Sequence, residues 1–245
     1  YLVEDVKTLN KYVMKTPSLN YDEDIAYKER FVMEPWIAGR ISSNHVVKIH
    51  DDDRPQKFLY YVCEFVEGQV LSEWMKENPK PSVDRVLNII RQVVKGARAL
   101  HRKETLHQDI KPDNIMIGPD DHVTLIDFGS CYISGVAEIE TAFERDIALG
   151  TETYGAPEYK LRRRSSLKSD MFSISFVMYE MLTGDFPYGE KFDDCQSTND
   201  FYRLNYRPAR DINPMVPAWM DGTLKKALQI SPDLRYDALS EFVYD

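Results

Sequence analysis

The chain has 245 residues, of which 43% are hydrophobic and 29% charged, a balance typical of one large globular domain or of two lobes that share an interface. Its net charge of −9 argues against nucleic acid as a ligand, because a phosphate backbone attracts clustered lysine and arginine. No apolar run approaches the roughly 20 residues that cross a bilayer, and acidic residues interrupt the first positions where a signal peptide would be apolar. We therefore expect a soluble, cytoplasmic protein without a membrane span. The three cysteines lie far apart and favour a reducing compartment.

The first 67 residues are predicted to be mostly strands with one helix. Tyr1 to Val6 and Lys11 to Lys15 are predicted as two strands joined by a turn. Apolar residues at three- and four-residue intervals predict a helix over Asp22 to Ser42. Val46 to Ile49 and Phe58 to Phe65 are predicted as further strands, the second rich in aromatic and β-branched residues.

Beyond residue 68 the pattern becomes helical. Ser82 is a candidate N-cap for an amphipathic helix that runs to His101. Lys168 to Leu182 is a mostly apolar helix that ends at Gly184, and such a helix belongs in the middle of a lobe. Two further helices are predicted at the C-terminal end, over Met220 to Gln229 and Tyr236 to Tyr244.

Two polar motifs lie between these helices. The first runs from His107 to Asn114 and holds a carboxylate, a lysine and an amide, and the second is Asp127-Phe128-Gly129. Ile115 to Ile117 and Val123 to Ile126 are predicted as strands around a Gly-Pro-Asp-Asp turn, so a hairpin would fold the second motif back beside the first. Phosphoryl transfer from a magnesium nucleotide to a hydroxyl needs these groups: a base, a cation and oxygen ligands for the metal.

These motifs resemble the catalytic centre of the eukaryotic-type protein kinase superfamily, and the resemblance covers nearly the whole chain. It implies an α+β, two-lobed fold with a small antiparallel-sheet lobe over residues 1–67 and a larger helical lobe over residues 68–245. It also implies a transferase that uses ATP and Mg²⁺ and acts on protein substrates.

The resemblance assigns nucleotide-binding roles in the first lobe. Lys15 would contact the α- and β-phosphates and Glu34 would hold it in place, with Glu29 as a competing partner on the same helix. Cys63 would lie at the back of the adenine pocket, and the backbone from Glu64 to Val66 would contact the adenine.

In the catalytic loop, Asp109 matches the base that accepts the substrate hydroxyl's proton, and Lys111 the residue that steadies the γ-phosphate. Asn114 and Asp127 match the magnesium ligands, with Asp127 also contacting the nucleotide. The lysine at 111, followed by Pro112, resembles serine/threonine kinases rather than tyrosine kinases.

Further positions carry structural expectations. The segment from Gly150 to Glu158 closes the activation segment and resembles the substrate-docking turn of protein kinases. Glu158 would pair with Arg235, and Asp170 would brace the catalytic loop. Pro35 would remove one backbone hydrogen bond from its helix, so we expect a local bend near Glu34.

The chain departs from the kinase pattern in two places. Gln108 stands where many kinases have an arginine that gathers a phosphorylated activation loop, so we expect activity without such phosphorylation. No glycine-rich loop is present, and we expect that segment to lie upstream of Tyr1, because a sheet that began here would have an unpaired edge. The basic run Arg162-Arg163-Arg164 is predicted as a solvated loop, with docking of an acidic or phosphorylated partner as the alternative.

A finer resemblance, in the segments that begin at Asn213 and Arg235, is to the kinase half of bacterial proteins that fuse a metal-dependent phosphatase to a kinase. It implies a phosphatase domain before residue 1, and the full-length protein could carry a membrane anchor.

The main alternative to a kinase is a pseudokinase scaffold. Gln108 and the missing glycine-rich loop favour it, and the presence of four catalytic residues disfavours it: Lys15, Asp109, Asn114 and Asp127. A kinase of small molecules is a third class, which the docking turn at Ala156-Pro157-Glu158 disfavours.

Overall fold

A computed structural model describes residues 1–18, 25–50, 57–133 and 152–244. The first part contains a four-stranded antiparallel sheet in the order β1-β2-β4-β3. Its strands and its one helix are β1 (Leu2–Glu4), β2 (Lys11–Lys15), α1 (Ile25–Gly39), β3 (Ile49–His50) and β4 (Tyr61–Glu64).

The register of this sheet aims a set of side chains at α1. Lys15 pairs with Tyr61 and Val13 pairs with Cys63, and side chains two residues apart in a strand point to the same face. Lys15 and Tyr61 both contact Glu34 of α1. This face of the sheet therefore lies against α1 and carries the lysine expected to bind nucleotide.

The rest of the described chain is mainly helical and also contains two small antiparallel sheets. The elements, in chain order, are β5 (Gln69–Val70), α2 (Leu71–Glu77), α3 (Val83–His101), β6 (Thr105–Leu106), β7 (Ile115–Ile117), β8 (Val123–Leu125), β9 (Tyr132–Ile133), α4 (Pro157–Lys160), α5 (Leu167–Thr183), α6 (Thr198–Tyr202), α7 (Ala209–Ile212), α8 (Ala218–Ala227) and α9 (Leu239–Tyr244). The sheets are β5-β7-β8 and β6-β9.

Helix α5 forms the centre of the helical region, as its apolar sequence predicts. Every residue from Ser169 to Tyr179 is buried, and α3 packs against it. Ser166 caps its N-terminus with a capping box, and Gly184 ends it in a left-handed conformation with φ of 70°. The predicted cap of α3 is also confirmed, because Ser82 accepts a hydrogen bond from the backbone N–H of Arg85.

Two predicted strands of the first lobe are wrong in extent. The prediction of Val46 to Ile49 fails because the backbone around Val46 pairs with β8 of the helical region, leaving only Ile49–His50 in the small sheet. The strand predicted from Phe58 begins only at Tyr61, where its partner β2 ends at Lys15 and the ladder of hydrogen bonds begins.

Several helix and strand ends also differ from the predictions. The helix predicted to reach Ser42 ends at Gly39, and residues 22–24 of that prediction lie outside the described residues. Helix α8 runs from Ala218 to Ala227, two residues earlier at both ends than the predicted Met220 to Gln229, and its N-cap Pro217 has an extended backbone. Helix α9 begins at Leu239 rather than Tyr236, because the chain leaves a short 3-10 turn in an extended conformation at Arg235.

The remaining end differences are small. Strand β1 is shorter than predicted at both ends, while β8 stops one residue before Ile126. The turn between β1 and β2 is fixed by Asp5, whose carboxylate accepts hydrogen bonds from the backbone N–H groups of Lys7 and Thr8. Among the described residues, no helix has the length and apolar character needed to cross a membrane.

Candidate active site

The hairpin of β7 and β8 brings the two polar motifs together. Ile115 pairs with Leu125, and the backbone N–H of Ile126 donates to the carbonyl of Asn114 at 3.0 Å. Asn114 is the last residue before β7, and Asp127 follows two residues after β8. The two candidate metal ligands are therefore neighbours at one end of the hairpin, as the sequence predicts.

Asp109, Lys111 and Asn114 form one hydrogen-bonded group. The ammonium of Lys111 lies 3.0 Å from Oδ2 of Asp109, and Nδ2 of Asn114 donates to the same oxygen at 2.8 Å. Nδ2 of Asn114 also donates to the backbone carbonyl of Asp109 at 2.8 Å. Asp109 is thus held by an amide on one side and paired with a cation on the other, and the amide oxygen of Asn114 is left to accept or to ligate.

Lys15 lies between two carboxylates. Its ammonium is 3.2 Å from Oε2 of Glu34 and 3.8 Å from Oδ1 of Asp127. Burial opposes the protonated form, but the charges of Glu34 and Asp127 outweigh it and raise the pKa of Lys15. Glu29, the competing candidate, is exposed on α1. The structure thus brings together Lys15, Glu34 and Asp127.

Glu34 has a second partner that the sequence did not predict. The hydroxyl of Tyr61 donates to Oε2 of Glu34, the same oxygen that Lys15 approaches. Burial raises the pKa of Glu34 above its ordinary value despite the nearby charge of Lys15. Burial and the Glu34 charge also raise the pKa of Tyr61 far above its usual range, so Tyr61 stays a hydrogen-bond donor.

Gly129 lets Glu34 approach the second motif. A Cβ at position 129 would lie 2.6 Å from Oε1 of Glu34 and 3.4 Å from Oδ1 of Asp127. The first distance is too short for real atoms, so any larger residue would push Glu34 aside. The absence of a side chain at Gly129 is therefore what allows Glu34, Lys15 and Asp127 to meet.

Both motifs contain a residue in the left-handed region. Gln108 has φ of 64° and Asp127 has φ of 66°, and such a conformation costs about 1–2 kcal/mol in a residue other than glycine. Asp170 of α5 compensates at Gln108, since its carboxylate accepts from the backbone N–H groups of His107 and Gln108, each at 2.9 Å. The predicted brace from Asp170 to the catalytic loop is confirmed.

Asp170 is fully buried yet ionised. Burial opposes its charge, but a hydrogen bond from Nε2 of His101 at 2.8 Å and the electrostatic interaction with that ring outweigh burial and lower the pKa of Asp170. His101 was predicted only as the end of α3. Its position at the C-terminal end of α3, shortly before the catalytic loop, was a signal that could have identified it.

The segment between the sheet and α2 is the predicted adenine contact. Glu64 is the last residue of β4 and its backbone N–H donates to the carbonyl of Lys48 at 2.9 Å, while its side chain is exposed. Val66 follows in the connection and packs against the core. Cys63 is buried, with its thiol 3.5 Å from the carbonyl of Val13. The contact of this segment with adenine stays a prediction.

Glu158 and Arg235 form the ion pair that the sequence predicts. Arg235 donates from two nitrogens to the two carboxylate oxygens of Glu158, at 2.8 and 3.0 Å, and both residues are buried. Its remaining donors reach the carbonyls of Gln229, Ile230 and Lys168. The ion pair links α4, where the predicted docking turn ends, to the C-terminal region; residues 150 and 151 of that prediction lie outside the described residues.

The donor set fits a magnesium ion that also binds phosphate. Mg²⁺ takes oxygen ligands and is usually held by one or two carboxylates together with substrate phosphates and water. The side chain of Asp127 is 47% exposed, and the amide oxygen of Asn114 is the candidate second ligand. Among the residues that the structure describes, no three His, Cys, Asp or Glu side chains converge to hold a metal.

Comparison with known proteins gives a consistent result. The sequence model of the family described as "Protein kinase domain" matches residues 1–241. Serine/threonine-protein kinase PrkC of Bacillus subtilis is 28% identical over 246 residues, which cover 100% of this chain and 37% of that protein. Serine/threonine-protein kinase PknH of Mycobacterium bovis is 29% identical over 224 residues, covering 91% of this chain and 37% of that protein.

A third relative, serine/threonine-protein kinase PknE of Mycobacterium tuberculosis, is 27% identical over 236 residues, covering 96% of this chain and 41% of that protein. The chain thus spans well under half the length of these curated relatives. A family match over nearly all of the chain and the geometry of its two polar motifs lead to one conclusion: the chain belongs to the protein kinase domain family.

Proposed function

We propose that this chain is the catalytic domain of a serine/threonine protein kinase, which transfers the γ-phosphate of ATP to serine or threonine hydroxyls of proteins. Two groups of side chains carry the proposal: Asp109 with Lys111 and Asn114, and Lys15 with Glu34 and Asp127. The names of the relatives support the choice of acceptor.

In this proposal each residue has a role that follows from its charge and hydrogen-bonding groups. Asp109 orients the acceptor hydroxyl and takes its proton, while Lys111, 3.0 Å away, stabilises charge on the transferred group. Asn114 and Asp127 supply oxygen ligands for Mg²⁺, which when bound neutralises charge on the β- and γ-phosphates. Lys15, held by Glu34, positions the nucleotide. Positioning and charge stabilisation supply most of the acceleration, and the base contributes about 10²–10⁴-fold.

The division of the chain and its context are parts of the same proposal. Residues 1–67 form the nucleotide lobe and residues 68–245 the lobe that carries the catalytic loop, with Glu64 and Val66 contacting adenine between them. The likeness to bacterial phosphatase-kinase fusions supports a phosphatase domain upstream. The free cysteines support a cytoplasmic location for the kinase, whether or not the full-length protein is anchored in a membrane.

A phosphotransfer assay distinguishes the kinase from the pseudokinase alternative. The full-length protein is incubated with labelled ATP, Mg²⁺ and generic proteins or peptides that offer serine, threonine or tyrosine. We expect label on serine and threonine. Nucleotide binding without transfer would favour a scaffold, label on tyrosine would overturn the acceptor class, and label only on small molecules would exclude a protein kinase.

A further inference from the structure

Gln108, the residue just before Asp109, is held at both its backbone and its side chain. Its backbone, in a left-handed conformation, donates to Asp170 at 2.9 Å. Its side-chain Nε2 donates to Oγ of Ser165 at 2.7 Å, and both residues are partly buried. The catalytic loop is therefore tied to a segment 57 residues further along the chain, between α4 and α5.

Ser165 is attached to a rigid part of the molecule. The next residue, Ser166, is the N-cap of α5, and its backbone N–H donates to the hydroxyl of Ser169 at 3.1 Å. The hydroxyl of Ser169 in turn donates to Glu158 at 2.6 Å, and Glu158 is paired with Arg235. A chain of short contacts thus connects the position of Ser165 to the buried ion pair.

The bond between Gln108 and Ser165 joins two neutral groups. The three arginines that precede Ser165 are exposed, but the bond from Gln108 to Ser165 needs no phosphate. Salt also screens this neutral bond much less than it would screen an ion pair. A strained residue such as Gln108 keeps its conformation only when its surroundings hold it. The bond to Ser165 restrains the side chain of Gln108, and the bond to Asp170 restrains its backbone.

We propose that Ser165 is a positioning residue for catalysis: through Gln108 its hydroxyl holds the loop that carries Asp109 in the conformation that reacts. The proposal rests on the proposed kinase function and adds a residue outside the catalytic motifs. It also gives a physical reason for activity without a phosphorylated activation loop, because a constitutive neutral bond restrains Gln108 at the position where other kinases use an arginine.

The test compares four variants and one control variant of the full-length protein with the wild type. Ser165→Ala and Gln108→Ala should each lower kcat about two- to tenfold, the range expected for one neutral hydrogen bond, with little change in the KM for ATP. Ser165→Thr keeps the hydroxyl and should restore kcat to within twofold. The double variant Gln108→Ala/Ser165→Ala should be no slower than the slower single variant, since both remove one bond.

Ser166→Ala is the matched control. It removes the N-cap of α5 and should lower thermal stability, but it leaves the bond from Gln108 to Ser165 and should leave kcat unchanged. A kcat for Ser165→Ala within twofold of the wild type would overturn the proposal. So would additive losses in the double variant, or an equal loss of kcat in Ser166→Ala.

A second readout does not depend on turnover. Backbone amide hydrogen exchange at His107 and Gln108 should speed up in Ser165→Ala and not in Ser165→Thr, because the amides that bond to Asp170 would open more often. Unchanged exchange in Ser165→Ala overturns the positioning role even if the wild type transfers no phosphate. If exchange is faster in Ser165→Ala but the wild type transfers no phosphate, the kinase function is rejected, while the restraint of Gln108 by Ser165 is supported.

Discussion

Replacing Gly129 with alanine should separate Glu34 from Lys15 without unfolding the protein. The added Cβ would lie 2.6 Å from Oε1 of Glu34, where ordinary contact begins at 3.4 Å. The clash is with the tip of a flexible side chain, so Glu34 moves rather than the backbone. Its ion pair with Lys15, now 3.2 Å, would be broken or lengthened.

The magnitude follows from that one contact. A hydrogen bond to a charged group contributes about 1.5–3 kcal/mol, and we take the lower value because the side chain of Lys15 is 34% exposed and partly screened by solvent. About 1.4 kcal/mol corresponds to a tenfold change in affinity. We therefore expect Gly129→Ala to weaken binding of ATP with Mg²⁺ about tenfold, measured by titration calorimetry.

Gly222 provides the control. It lies within α8 with no atom inside 4 Å of its would-be Cβ, so Gly222→Ala should raise the free energy of unfolding by about 0.5–1 kcal/mol and leave nucleotide affinity unchanged. In Gly129→Ala the free energy of unfolding should fall by no more than about 1.5 kcal/mol, the value of the lost contact, so the protein stays folded in the binding assay. An ATP affinity within twofold of the wild type in Gly129→Ala would refute the assignment of Glu34 as the partner that positions Lys15.

Three further outcomes are expected. Arg235→Met leaves Glu158 buried without its cation, so the free energy of unfolding should fall by about 3–5 kcal/mol in denaturant titrations, and a loss under 1 kcal/mol would contradict the pairing. Because its folded-state pKa is raised, Glu34 contributes stability that is fully present below its ordinary pKa of 4.5 and is lost as the pH rises through the higher folded value. ATP affinity should change in the opposite sense, falling on acidification at a pH above 4.5, because only the ionised carboxylate pairs with Lys15. Glu34→Gln should flatten the pH dependence of both stability and ATP affinity. If both keep their pH dependence in that variant, Glu34 is not the group responsible. Replacing Ser134, Thr141 and Thr153 of the activation segment together with alanine should lower activity by less than tenfold. Ser134 and Thr141 lie outside the described residues.

The elements with strong local signals were predicted closely from the sequence. The N-cap at Ser82, the glycine stop at Gly184 and the Gly-Pro-Asp-Asp turn between β7 and β8 each act within a few residues, and the structure has all three. The catalytic loop was predicted for the same reason, since a short hairpin fixes the approach of Asn114 to Asp127. Local signals therefore predicted how the two polar motifs meet, whereas Lys15 and Glu34 were assigned from the resemblance to protein kinases.

Contacts between distant segments were not predicted in the same way. The strand expected at Val46 fails because its backbone pairs with β8, and nothing near Val46 in the sequence announces that partner. The bonds from Tyr61 to Glu34 and from Gln108 to Ser165 join residues 27 and 57 positions apart. They depend on how the sheet meets α1 and on where the segment before α5 lies, and both are set by tertiary packing. The bend expected at Pro35 stays a prediction, since α1 continues through it to Gly39.

The most direct test of the account is Asp109→Asn in the full-length protein, with phosphotransfer and ATP binding measured side by side. The substitution keeps the size of the side chain but removes its basicity and the charge that pairs with Lys111 at 3.0 Å. We predict that transfer to serine and threonine falls by at least 10²-fold while ATP affinity stays within about threefold of the wild type. Undiminished transfer in Asp109→Asn would contradict the role of this carboxylate as the base.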